Sequence, residues 1–293
     1  RRQRQMCIRD STTAVEHHAV LNPMRRLEEQ GFEVTYLKPD ALGRVCLDAL
    51  REAIRPDTVL VSVMMVNNES GAVMPIGAMA KLTHRLAPNA IFHTDAVQGF
   101  LKLPFQAKTL GADLISISSH KVHGPKGAGA LYIRRGLPLP PYLLGGGQEG
   151  GYRSGTEATP AVVGFGAACA AALPTLREDL AREAALRDRS AALLAEIPGV
   201  ELLGAREAPH ILLASIPGVP TQNTINILQD HGVCVSAGSA CARGHRSHVL
   251  EAMGLPPETV DGAFRISLSR FTSPEELEQL AVGLTAVVQR MRR

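Results

Sequence analysis

From residue 12 onward, short β-branched or apolar runs alternate with stretches of helical periodicity. The run 59–66 (VLVSVMMV) is apolar enough for a strand buried on both faces. Further strands are predicted at 33–37, 90–94, 113–118 and 128–133, with amphipathic helices at 47–54 and 76–85. Such alternation implies right-handed crossovers and a largely parallel sheet. Beyond the glycine cluster at 145–151, residues 161–197 read as helical, with a break at Pro174. A second, smaller α/β unit is predicted from strands at 200–203, 210–216, 233–236 and 264–268 and helices at 221–231 and 273–291. Ser273 caps the last of these, and Pro274 occupies its first turn.

This pattern divides the chain into a large unit at 12–175 and a small one at 176–293. Residues 1–11 (RRQRQMCIRDS) share none of the periodicity and lack the apolar centre of a secretory signal. They are expected to be a non-native or disordered segment. The whole net charge of +3 is already present in the first ten residues, so the remainder is neutral and offers no footprint for nucleic acid. The longest apolar run, 161–173, is too short for a membrane span. Five scattered cysteines (Cys7, Cys46, Cys169, Cys234 and Cys241) without a CxxC pair argue against a disulfide framework or zinc knuckle and fit a reducing cytoplasm.

In an open parallel sheet, ligands bind beyond the carboxyl ends of the strands. Polar groups cluster at three such ends: Asn67, Asn68 and Glu69; Asp95 and Gln98; and Ser118, Ser119, His120 and Lys121. Asn67, Asn68 and Glu69 alone read more readily as a turn and helix cap, and Asp95 alone is as readily an N-cap, but together the three clusters predict a site. Lys121, between a strand end and a Gly/Pro turn, is placed to lose solvation and capture a carbonyl, including that of pyridoxal phosphate. Asp95 would supply the acidic partner for the ring nitrogen of that cofactor. Ser118, His120 and the Ser154-Gly155-Thr156 segment would supply phosphate donors. Gly145–Gly150 satisfies GxGxxG, but it does not stand between a strand and a helix and is set aside. Cys241 follows small and polar residues and precedes Arg243, His245 and Arg246, a setting that favours a thiolate.

These residues together resemble the NifS/IscS-like cysteine desulfurases, pyridoxal-phosphate enzymes of fold type I and the class V aminotransferase family. The landmarks are VEHHAVL (15–21), VNNESG (66–71), HTDAVQ (93–98), SSHKVHGPKG (118–127), RSGTE (153–157), SAGSAC (236–241) and RISLSRFT (265–272), in family order. The resemblance implies a mostly parallel large domain and a smaller α/β C-terminal domain. Lys121 would hold pyridoxal 5'-phosphate covalently, with Asp95 on the ring nitrogen and His17 stacked on the ring and assisting proton transfer. Asn68 and Gln98 would bond the phenolic oxygen. Ser118 and His120 would contact the phosphate, joined by Thr156 from the other subunit of a homodimer. Arg265, with Asn68, would bind the substrate carboxylate. L-Cysteine would give L-alanine and a Cys241 persulfide, passed to a sulfur acceptor or iron–sulfur scaffold protein, with Cys241 contacting the cluster metal through the persulfide. No direct nucleic acid, no membrane and a cytoplasmic location are expected. The family's N-terminal stretch, with its phosphate-binding Thr loop, is replaced here by RRQRQMCIRDS. The alternatives are a selenocysteine lyase, another enzyme of the same fold type, or a fragment lacking part of the phosphate site.

Overall fold

A computed structural model describes residues 9–238 and 246–291. The first unit is built from strands β1 (Arg9–Thr13), β2 (Glu33–Leu37), β3 (Thr58–Ser62), β4 (Ile91–Asp95), β5 (Leu114–Ser118) and β6 (Gly129–Ile133). Helices α1 (His18–Glu29), α2 (Leu47–Ala53), α3 (Ile76–Leu86) and the short α4 (Ala107–Leu110) connect them. The sheet order is β2-β1-β3-β4-β5-β6, parallel except for β6, which runs antiparallel to β5. The expected crossovers therefore form, and Val61, Phe92 and Ile115 from the central strands meet Leu50 of α2 and Met79 of α3 in one core.

Two expectations are corrected. Residues 9–11, assigned outside the fold, form part of β1, which pairs with β2 on one side and β3 on the other. Hydrophobic patterning missed this strand because its sequence is RDSTT, and its side chains are polar yet buried, with Asp10 Oδ1 and Ser11 Oγ left without a partner. Thr12 Oγ1 donates to the Ser62 carbonyl at 3.0 Å, and Arg9 reaches Glu33 and Thr35. Residues 233–236 do not form a strand. Only Ser236 pairs with Arg265, by two reciprocal backbone bonds at the edge of the small sheet. The strand predicted at 59–66 ends at Ser62, yet Val63 and Met65 continue to donate to the carbonyls of His93 and Asp95.

The helical stretch at 161–197 divides as the proline suggested, into α5 (Thr159–Ala172) and α6 (Leu176–Ala195) around a 3-10 turn at Leu173–Thr175. By length and composition, the stretch Thr159–Ala195 contains an 18-residue window apolar enough to cross a membrane, longer than the 13-residue run. That interruption and the Arg/Glu-rich sequence of α6 set its two halves apart.

The second unit is an antiparallel sheet of β7 (Glu201–Leu203), β8 (Ile211–Ser215) and β9 (Ala263–Ser267), in that order. Helices α7 (Thr221–Asp230), α8 (His248–Ala252), α9 (Pro257–Asp261) and α10 (Pro274–Met291) accompany it. At the start of α10, Ser273 and Glu276 cap each other reciprocally, as the sequence suggested for Ser273. Side chains alternate along β8: Ile211 and Leu213 enter the core of the large sheet, while Leu212 and Ala214 face Leu194, Leu228 and Leu284 in a core of their own. One strand thereby belongs to both cores.

A second link is ionic. Lys102, in the turn after β4, donates to both carboxylate oxygens of Glu183 on α6 at 3.1 and 3.4 Å, and both residues are buried. Lys102→Met should destabilise the protein by about 3 kcal/mol, because it strands a buried carboxylate. The double variant Lys102→Met/Glu183→Met should recover most of that loss in urea unfolding. Equal losses in the single and double variants would show that the pair itself contributes nothing.

Candidate active site

Because β1, β3, β4 and β5 run parallel, their carboxyl ends share one edge of the sheet, and every large-domain candidate but Thr156 follows one of those ends. His17 is the N-cap of α1, just past β1. Its Nδ1 accepts the Ala19 amide at 3.1 Å, so in the neutral ring the proton resides on Nε2. Asp95 is the last residue of β4 and is buried, with Oδ1 accepting the Val97 amide at 2.9 Å. Burial pushes its carboxyl above the usual range, opposed by the Val97 amide and by His17. Burial lowers His17, which Asp95 opposes and His18 and Lys121 reinforce. His17 thus lies within electrostatic reach of both Asp95 and Lys121.

Lys121 sits in the 3-10 turn Ser119–Val122 that follows β5. Helix α5 packs against this loop through Gly164, where an added methyl group would come within 2.5 Å of Pro125 Cγ. The expectation of a desolvated lysine is not met within this chain, where Lys121 is exposed. Ser118 Oγ and His120 Nδ1 are 2.6 Å apart at the same strand end. Thr156 is exposed, and no contact among the described residues joins it to that pair.

Gln98 has a partner the sequence did not suggest. Its Oε1 lies 3.0 Å from Nε2 of His210, whose acidity burial shifts to about 3, so the ring is neutral. With Oε1 occupied, the amide nitrogen of Gln98 is the end left to donate. Asn67 is structural: its Oδ1 accepts from the Glu69 and Ser70 amides, and its Nδ2 donates to the Val15 carbonyl at 2.9 Å. The neighbouring Asn68 is half-buried, and its carbonyl accepts from Arg265 Nη1 at 2.7 Å, so β9 of the small sheet reaches the loop after β3. Cys241, Arg243 and His245 lie outside the described residues. Among the described residues, no cluster of His, Cys, Asp and Glu side chains could hold a metal ion.

Glu16 was missed, although it stands inside VEHHAVL. It is fully buried, with Oε1 accepting from the Met64 amide at 2.7 Å and from Thr13 Oγ1 at 2.8 Å, while Oε2 has no partner. Burial, reinforced by the charge of Asp95, raises it to about 8. At neutral pH it is held as a neutral acid beside Asp95.

These residues fit pyridoxal phosphate. A buried carboxylate, Asp95, lacks a full cationic partner of the kind the ring nitrogen would supply. A primary amine, an amide donor oriented by His210 and a Ser/His pair at a strand end are the kinds of group that covalent attachment, the phenolic oxygen and the phosphate would require.

The fold and this lysine-centred edge define an enzyme class: the chain belongs to the aminotransferase class-V family, whose profile matches residues 11–280. Within it, the chain is 42% identical to a cysteine desulfurase of Nostoc sp. over 286 residues, covering 96% of this chain and 71% of that protein. It is likewise 42% identical to the cysteine desulfurase IscS of Vibrio atlanticus, covering 96% of this chain and 70% of that one. Among solved structures, a NifS-like protein superposes with a TM-score of 0.91 at 34% identity, covering 98% of this chain and 77% of that one. The apo cysteine desulfurase of Thermococcus onnurineus gives 0.85 at 26% identity, covering 97% and 73%.

The neutral state of Glu16 has a measurable signature. Its folded-state value near 8 lies above the unfolded value of 4.5, so its contribution to stability is complete below pH 4.5 and is lost as pH rises through 8. Glu16→Gln should therefore gain on the wild type by on the order of 4 kcal/mol between pH 5 and pH 9 in chemical unfolding. A difference between the two proteins that does not vary with pH would contradict a buried neutral acid.

Proposed function

We propose that this protein is a cysteine desulfurase that removes sulfur from L-cysteine with pyridoxal phosphate, giving L-alanine and a persulfide on Cys241. The observation that carries the reading is the meeting of Lys121, Asp95 and His17 at one sheet edge, with Arg265 brought to Asn68 from the small domain. Pyridoxal phosphate, when bound, supplies the electron sink for negative charge developing at the substrate Cα.

Each residue has a task consistent with its geometry. Lys121 would provide the amine that holds the cofactor. Asp95 would pair with the ring nitrogen, and the acid beside it, Glu16, is neutral and does not compete for that charge. The Gln98 amide and Asn68 fix the ring's rotation, Ser118 and His120 take the phosphate, and His17 holds a proton on Nε2 beside Lys121. Arg265 already bonds Ser267 through Nε and the Asn68 carbonyl through Nη1, which leaves Nη2 to meet the substrate carboxylate. In the sulfur step, the Cys241 thiolate attacks the substrate sulfur. An S–S bond forms as the C–S bond breaks, and the electron pair passes to Cβ, which takes a proton to complete L-alanine. No oxidant is consumed.

The protein works as a homodimer in this reading. Tyr142 and Leu144 are more than four-fifths exposed, and Val162 and Val163 more than half. They flank the exposed segment bearing Thr156, and a second copy covering them would bring its own Thr156 to the first copy's phosphate site and remove Lys121 from solvent. Cys46, Cys169 and Cys234 are free thiols, in keeping with a cytoplasmic enzyme that hands its sulfur to an acceptor or iron–sulfur scaffold protein. Membrane and nucleic acid have no part in this reading.

Lys121→Ala should abolish covalent attachment of the cofactor, read as loss of borohydride-trapped pyridoxyl-protein by mass spectrometry, with an unchanged unfolding midpoint. Trapping at wild-type yield would exclude Lys121. Cys241→Ser should still bind L-cysteine but release alanine at least roughly a hundredfold more slowly, since a hydroxyl is a far weaker nucleophile than a thiolate at neutral pH. Alanine at the wild-type rate, with a persulfide on Cys46, Cys169 or Cys234, would reassign the nucleophile.

A further inference from the structure

Glu69 is the one acid in the loop after β3, and it has no part in the reaction above. It is 1% exposed. Burial of a carboxylate is costly unless it is bonded, and Glu69 spends its bonds in a particular direction. Its Oε2 accepts from the Ser247 hydroxyl at 2.5 Å, and the same hydroxyl accepts the Leu250 amide to cap α8. On the other side stands Gly238, which turns with φ +68°. A methyl group added there would come within 2.6 Å of that same Oε2, so the backbone closes on the carboxylate only because the residue is glycine. The third neighbour is Arg265, close enough that its charge and that of Glu69 stabilise each other, and its Nη1 is bonded to the carbonyl of the preceding residue, Asn68.

In sequence, Gly238 and Ser247 stand on either side of Cys241. Two further ties hold the return end: His248 Nε2 lies 2.9 Å from the Glu16 carbonyl, and Arg246 forms a two-pronged pair with Asp261 at the surface. Of these groups only Glu69 touches both ends, and only Glu69 also faces the arginine assigned to the substrate carboxylate.

We propose that Glu69 is a positioning residue for sulfur transfer, a single buried carboxylate that anchors Gly238, Ser247 and the Arg265 guanidinium together and so sets the origin of the Cys241 segment relative to the bound substrate. The proposal rests on the desulfurase reading for its consequence, but its geometry concerns described residues alone. A nucleophile misplaced by an ångström loses much of its advantage, so anchoring at the two ends bears directly on rate. A glutamine keeps an oxygen for Ser247 and a similar shape, whereas an alanine removes the anchor.

The test uses the cofactor-loaded, full-length protein and two readouts. The first is the rate of Cys241 alkylation by iodoacetamide without substrate, followed by mass spectrometry. The second is the single-turnover rate of Cys241 persulfide formation at saturating L-cysteine. Glu69→Ala should raise alkylation about fivefold and slow persulfide formation about tenfold, with Ser247→Ala moving both the same way by about threefold. Glu69→Gln should stay within about twofold of wild type on both. If Glu69→Ala does not fold, Ser247→Ala decides. Unchanged rates in the variants that fold overturn the proposal, as does a Glu69→Gln defect equal to that of Glu69→Ala, which would assign the effect to charge rather than anchoring. A wild-type protein that forms no alanine from L-cysteine would instead defeat the desulfurase reading, and the alkylation rates would still judge the anchor.

Discussion

The hydrogen bond from the Met64 amide to the buried Glu16 carboxyl is the constraint on which the active edge depends. Adjacent parallel strands diverge in the loops that follow them, and backbone groups buried there have lost their ladder partners. Here side chains replace the ladder. Glu16, just past β1, accepts from the extension of β3, and Asn67, past β3, donates back to the Val15 carbonyl. These two bonds lock the first segment of the site to the second. His17 follows immediately in sequence, and Asn68 and Glu69 follow on the other side, so the positions of all three descend from this cross-link.

The electrostatics of the edge follow from the same burial. Two carboxyls side by side in a low-dielectric setting cannot both hold a charge cheaply, and the one with fewer ways to be satisfied gives way. Glu16 is sealed and Asp95 is not, so the former stays protonated while the latter is available to pair with a cation. His210 is held neutral by burial and by the surrounding cations, and it orients Gln98 without adding charge of its own. The polar groups around the site therefore divide into those that carry charge and those that only aim others.

The large and small units are less separable than a boundary in the sequence implies. β8 places alternate side chains into two cores, and the pair Lys102–Glu183 and the bond from Arg265 to Asn68 cross between the same units. Arg265 on the small sheet is therefore tied to the loop after β3 on the large one.

The sequence by itself determined the class of fold and most of the elements, because hydrophobic periodicity reports local burial and the strands β3, β4 and β5 carry it plainly. It also marked Asp95 and Lys121 at the strand ends, where the chemistry is readable one segment at a time, whereas Arg265, inside β9, was assigned only through the family resemblance. Strand β1 was illegible for the opposite reason: RDSTT carries no apolar pattern, and only its backbone pairing with β2 and β3 buries and reveals it. The 233–236 run shows the converse, a strand-like pattern with too little neighbouring edge to form a ladder. Tertiary structure alone decided that Glu16 is a neutral acid, that His210 aims Gln98, and that Glu69 joins Gly238, Ser247 and Arg265. Each of these depends on groups brought together from distant parts of the chain, and the energy of a buried charge is set by those neighbours rather than by the residue that bears it.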